Sequence, residues 1–239
     1  MQDKSIKTCL IVMTCVFCAF FCLTGCGLIS IPINGVQVER ADPRVETLYF
    51  EDHPELLAGP KEERYEAYTT WFFSLIPAFD LAEENVDTTP GAASLDLKVR
   101  GIQFKLSCPI TVNLSKKAPK ETIDHEMGHV ELAKRAYGEA ESAARKAGDA
   151  VMGKRYYGMG KSVEEAHAQA LEQIKNDLRF DFQRTALEFA EELSETFDHL
   201  TRKNWYEKDV TVQNLVDQAY DKCKNAGVRT IAPEQKLDK

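Results

Sequence analysis

The clearest alternation of apolar and polar positions lies between residues 95 and 114. Leu95, Leu97 and Val99 alternate with polar neighbours; after Arg100-Gly101 the apolar set moves to Ile102, Phe104, Leu106, Ile110, Val112 and Leu114. Period two predicts half-buried strands, and a change of parity at a glycine predicts a hairpin or a bulge. Pro109 falls on the outward set and has no N–H to donate, so Pro109–Leu114 reads as an edge strand.

A second pattern repeats every three or four residues. Val163, Ala166, Ala170, Ile174, Leu178, Phe182, Ala186, Phe189, Leu193, Phe197 and Leu200 form one stripe with a charged opposite face. That predicts a long amphipathic helix packed on a core. Shorter signals fill the rest: a strand over 45–50, a helix over 62–73 carrying Tyr65, Tyr68, Trp71, Phe72 and Phe73, and a polar loop over 87–93. Another helix follows residues 115–121, with Pro119 in its first turn, and runs to Tyr137 or as far as Ala147-Gly148. Residues 153–160 read as a break, 215–223 as a short helix, and 226–239 as a loose tail. These elements predict an α+β fold: a small sheet, then one helix packed against a longer one.

The first 25 residues read as a leader rather than as fold. Lys4 and Lys7 precede an uncharged apolar run from Cys9 to Leu23, about the length of a signal-peptide core and short for a bilayer span of ~20 residues, with an uncleaved membrane anchor as the alternative. Leu23-Thr24-Gly25-Cys26 then resembles a bacterial lipobox, which implies cleavage before Cys26 and lipid attachment to it. The expected location is therefore the cell envelope, and Gly27, with no Asp there to suggest inner-membrane retention, points to the outer membrane if the cell is Gram-negative. Residues 26–44 read as a tether, and 45–225 as the folded domain.

Net charge is −8, and removal of the leader, which carries net +1, leaves about −9. That balance excludes nucleic acid and a polybasic membrane patch as partners. Of seven cysteines, four leave with the leader and Cys26 takes the lipid. Cys108 and Cys223 remain, and in an oxidising compartment they are expected to form a disulfide or to stay as two buried thiols.

The chemistry concentrates in Thr122-Ile123-Asp124-His125-Glu126-Met127-Gly128-His129-Val130. On a helix, His125 and His129 stand one above the other and can share one Zn²⁺. Glu126 sits one position round, placed to take a proton from a metal-activated water. The flanks resemble the zincin metalloproteases: Thr122, Ile123, the uncharged Met127-Gly128 pair and Val130 fit the longer pattern, and Glu131 departs from it. Arg135 stands where the metzincin branch needs a histidine. The chain is more similar to a bacterial secreted family of zinc-dependent proteases, whose pattern has His-Glu-x-Gly-His, a long charged helical stretch and then Tyr-Asp-x-x-Thr-x-His-Gly. Gly128 matches the first part and Phe197-Asp198-His199-Leu200-Thr201 the second; Lys203 and Asn204 replace its closing His-Gly.

A catalytic zinc needs a third protein ligand. The candidates are His53, His167, His199, Glu164, Glu165, Asp177, Asp181 and Asp198. His199 ranks first, although the helical wheel sets it off the apolar stripe. The resemblance implies hydrolysis of a peptide bond, with His125, His129 and His199 on the metal and Glu126 as general base. The partners are then a protein or peptide substrate and, through Cys26, a membrane. Residues 110–114 are expected to hold the substrate by strand addition. A non-catalytic envelope lipoprotein with a decayed motif is the alternative, and an amidase of cell-wall peptides is another.

Overall fold

The computed structural model describes residues 33–57, 66–204 and 210–227. The leader, Cys26 and the tail after residue 227 lie outside the described residues. Among the described residues seven strands and four helices follow in the order β1 (Gly35–Arg40), β2 (Arg44–Tyr49), β3 (Ala67–Trp71), β4 (Ser74–Thr89), β5 (Ala92–Ser107), β6 (Pro109–Leu114), α1 (Lys120–Val151), β7 (Arg155–Gly160), α2 (Val163–Phe182), α3 (Glu188–Asn204) and α4 (Val212–Gly227). The fold is α+β, as the patterning implies. Among the described residues, no helix is long and apolar enough to cross a membrane.

The alternating stretch forms one bent strand. On β5, Leu95, Leu97, Val99, Ile102, Phe104 and Leu106 are all at most 2% exposed. The parity switch is a bulge: β4 pairs Asp80 with Gly101 and Leu81 with Val99, which leaves Arg100 as the extra residue. Its side chain turns outward to Asp80 at 2.6 Å. On its other edge β5 takes β1 in parallel along residues 101–106 and β7 antiparallel along residues 93–98. Two expectations change here. Most of the polar stretch 87–93 is strand, closed by a tight turn with Gly91 at φ 79°. The break at 153–160 supplies β7, and a Cβ on Gly158 would meet the Ala166 carbonyl oxygen at 1.9 Å, so only glycine lets β7 approach α2 there. The tether is also shorter than expected, because Gly35–Arg40 belongs to the sheet.

The second sheet has the order β2-β6-β3. Residues 67–71, expected to be helical, pair antiparallel with β6, while β2 pairs parallel on its far side. Pro109–Leu114 is therefore the central strand and not an edge. Pro109 is tolerated because it is the strand's first residue and withholds only one N–H; its carbonyl accepts from Phe72 N–H at 3.1 Å. The same pairing removes residues 110–114 as an open rail for substrate.

α1 lies against both sheets and against the other helices. It runs through Gly138 without a stop, and its buried face is rich in small residues: Ala133, Ala136, Ala140, Ala143, Ala144 and Ala147. The long apolar stripe forms α2, a single π turn over Gln183–Leu187, and α3. From Ala166 to Ala190 the buried residues recur every fourth position. That spacing overshoots a 3.6-residue turn, so the stripe winds around the rod; the wider turn at Gln183–Leu187 absorbs part of the drift.

Candidate metal centre

The site forms where the first turns of α1 cross the last turns of α3, beside β3. Pro119 is the N-cap of α1, and Ile123 N–H donates to its carbonyl at 3.1 Å. Two turns of regular helix then carry His125 and His129 on one face. Their Nε2 atoms are 3.1 Å apart. Asp198 Oδ1, from α3, lies 3.2 Å from His125 Nε2 and 2.9 Å from His129 Nε2. The three side chains are 12%, 11% and 16% exposed.

This triangle fits a metal. Donors ~2.0–2.1 Å from a tetrahedral Zn²⁺ stand ~3.3 Å from one another, close to all three edges found here. Two imidazole nitrogens and a carboxylate oxygen make a donor set suited to zinc and to other borderline divalent ions. Asp198 Oδ1 is shielded from solvent and receives no well-directed hydrogen bond. Burial raises its pKa, but the two facing imidazoles outweigh burial and hold the carboxyl well below the ordinary range, so it is anionic. Among the described residues, His125, His129 and Asp198 are the one group of three that could hold a metal ion.

The surroundings fix the rings. Phe197 stacks on His125 at 5.1 Å and 22°, and meets His129 edge-on at 5.1 Å and 83°. Ser194 Oγ is 3.0 Å from His129 Nδ1. With Nε2 given to a metal, Nδ1 carries the proton and donates it to Ser194, the second contact that commonly orients a ligating histidine. Glu126 is 6% exposed, and Thr69 on β3 donates its hydroxyl to Oε2 at 2.7 Å.

The third partner differs from the one ranked first. His199 is exposed. It follows Phe197 by two residues, ~200° round the helix, whereas Asp198 is ~100° round and shares a side with Ser194, four residues before it. The other candidates sit elsewhere. His53 Nδ1 lies 3.1 Å from Glu55, and His167 Nε2 lies 3.8 Å from Glu83. Glu165 caps α2 with Ser162, Glu164 is drawn to the same serine, Asp177 accepts from Tyr156 Oη at 2.9 Å, and Asp181 lies 3.5 Å from Arg184. The sequence motif points to neither Ser194 nor Thr69. Ser194 was detectable as the polar residue four before Asp198 beside a buried aromatic; Thr69 had no local signal.

The two cysteines among the described residues, Cys108 and Cys223, are free thiols. Cys108 is buried in the core at the start of β6, and Cys223 on α4 donates its thiol to Thr196 Oγ1 at 3.3 Å. Cys223 packs against α3 and Cys108 against the sheet side of α1, so no disulfide joins them.

No family model, no curated protein and no solved structure matches this chain.

Proposed function

We propose that this chain is a zinc-dependent peptidase held at the bacterial cell envelope by a lipid on Cys26. The observation that carries the proposal is the donor triangle of His125, His129 and Asp198 with the buried Glu126 one residue from a ligand. When bound there, Zn²⁺ supplies a Lewis acid for the scissile carbonyl and an acidified water near neutral pH. Glu126 takes the proton of the attacking water and returns it to the departing amine nitrogen. Asp198 adds negative charge to the donor set, and Phe197 excludes water from one side of the imidazoles. Substrate adds to β3 rather than to the central β6. Among the described residues β3 ends its sheet, and it passes directly beside Glu126 through Thr69.

The lipid anchor would keep the site near a membrane. Residues 27–34 separate Cys26 from β1, and eight extended residues span at most ~30 Å.

The test is metal content and hydrolysis on the full chain. One zinc per chain is expected in the wild type and none in His125→Ala. Glu126→Gln is expected to keep the metal and lose cleavage of an unfolded protein substrate. A wild-type protein that takes up no zinc, or a Glu126→Gln variant that cleaves at the wild-type rate, overturns the proposal. Zinc uptake with no cleavage of proteins or cell-wall peptides favours a non-catalytic envelope module.

A further inference from the structure

We propose that Thr69 is a positioning residue for Glu126, so that strand β3 sets the orientation of the group that moves the proton. The inference rests on the reading of Glu126 as proton carrier and deepens it. Glu126 projects from α1 toward the β2-β6-β3 sheet and is almost fully buried. A carboxylate in such a place costs free energy unless donors meet it. Thr69 Oγ1 meets it at 2.7 Å from Oε2, a well-formed O–H···O length, and also lies 3.3 Å from the Glu126 main-chain oxygen.

Both ends of this contact are fixed. Thr69 is 8% exposed, sits inside β3 and pairs with Val112 of the central strand. Glu126 is held between two ligating histidine positions on regular helix. A β-branched side chain has few χ1 choices, so the hydroxyl is confined to few directions from a fixed strand. Thr69 takes one lone pair of Oε2 and leaves Oε1 with both of its own for proton transfer. The carboxylate is thereby set in one rotamer before substrate arrives, which is the condition for efficient proton transfer.

Thr69→Val keeps the branched shape and removes the donor; Thr69→Ser keeps the donor and removes a methyl group. The expected result for Thr69→Val is a ~10–100-fold fall in kcat with KM within about twofold and unchanged zinc content. Thr69→Ser is expected to return kcat to within about threefold of wild type. A second readout needs no activity: thermal unfolding of metal-free wild type, Thr69→Val, Glu126→Gln and the double variant. Loss of the donor to this buried carboxyl lowers Tm by roughly 3–10 °C in Thr69→Val, and the same substitution lowers it clearly less once Glu126 is already Gln. Thr69→Ala replaces Thr69→Val if the latter does not fold. Wild-type kcat in Thr69→Val, a Thr69→Ser as slow as Thr69→Val, or additive Tm changes overturn the inference. A wild-type protein that cleaves nothing defeats the peptidase reading and the positioning role together, while a non-additive cycle still registers the contact.

Discussion

The ring of Phe197 occupies the space that a side chain on Gly128 would need. A Cβ built on Gly128 would stand 2.3 Å from Phe197 Cζ and 2.8 Å from Cε1. The glycine inside the His-Glu-x-Gly-His motif is thus what lets α3 approach α1 closely enough for Asp198 to reach both histidines.

Gly128→Ala should therefore act on the metal site as well as on stability. Phe197 is fully buried and cannot swing out, so the methyl group pushes α3 away and Asp198 with it. Overpacking of this kind costs ~1–3 kcal/mol, enough to offset the ~1 kcal/mol that alanine gains over glycine in a helix. Gly138 in the same helix has nothing within 4 Å of a built Cβ, and Gly138→Ala should stabilise by ~1 kcal/mol. Urea unfolding and zinc titration of the two variants check this; equal effects would remove the steric argument.

Asp198 and His199 should separate cleanly. Asp198→Ala takes one corner of the donor triangle away and should abolish stoichiometric zinc binding. His199→Ala changes an exposed residue and should bind zinc as the wild type does. Metal analysis after gel filtration distinguishes them, and the reverse outcome would return the ligand role to His199.

Ser194→Ala removes the partner of His129 Nδ1 without touching a donor atom. Loss of such a contact typically weakens metal binding ~10–100-fold. Competition with a zinc chelator should show that loss with one zinc still bound at saturation; an unchanged Kd would make Ser194 incidental.

Cys108 and Tyr137 predict how stability falls at alkaline pH. Burial pushes the Cys108 thiol up to about 12 from 9.0. Burial also pushes the Tyr137 phenol up to about 12 from 10.0, the neighbouring Cys108 adding to it. Both groups keep their protons longer when folded, so their contribution is complete below about pH 9 and is lost as pH rises toward about 12. Urea midpoints should fall steadily over that window, less steeply in Cys108→Ala. The same experiment without reductant should titrate both Cys108 and Cys223 as thiols once unfolded; a missing pair would restore the disulfide.

The chain's local chemistry determined a good part of this. His125, Glu126 and His129 are spaced by helix geometry alone, and the strand over residues 95–106 with its bulge at Arg100 follows from period-two burial and its change of parity. The long rod from Val163 to Asn204 was likewise written in its own stripe, apart from the π turn. These features depend on residues two to four apart, whose relation the backbone fixes before anything packs.

Tertiary structure decided the rest. Residues 67–71 carry aromatics and threonines that suit either a helix or a strand, and pairing with β6 chose the strand. That pairing moved Pro109–Leu114 from the edge to the centre and carried Thr69 to Glu126, 57 residues further along the chain. The choice of Asp198 over His199 arose in the same way. Both sit on one helix turn, and only the crossing of α3 over Gly128 determines which side of that turn faces the histidines. A donor's own neighbours in sequence carry no record of such a crossing, because it is set by the shapes of two surfaces that meet only when the core closes.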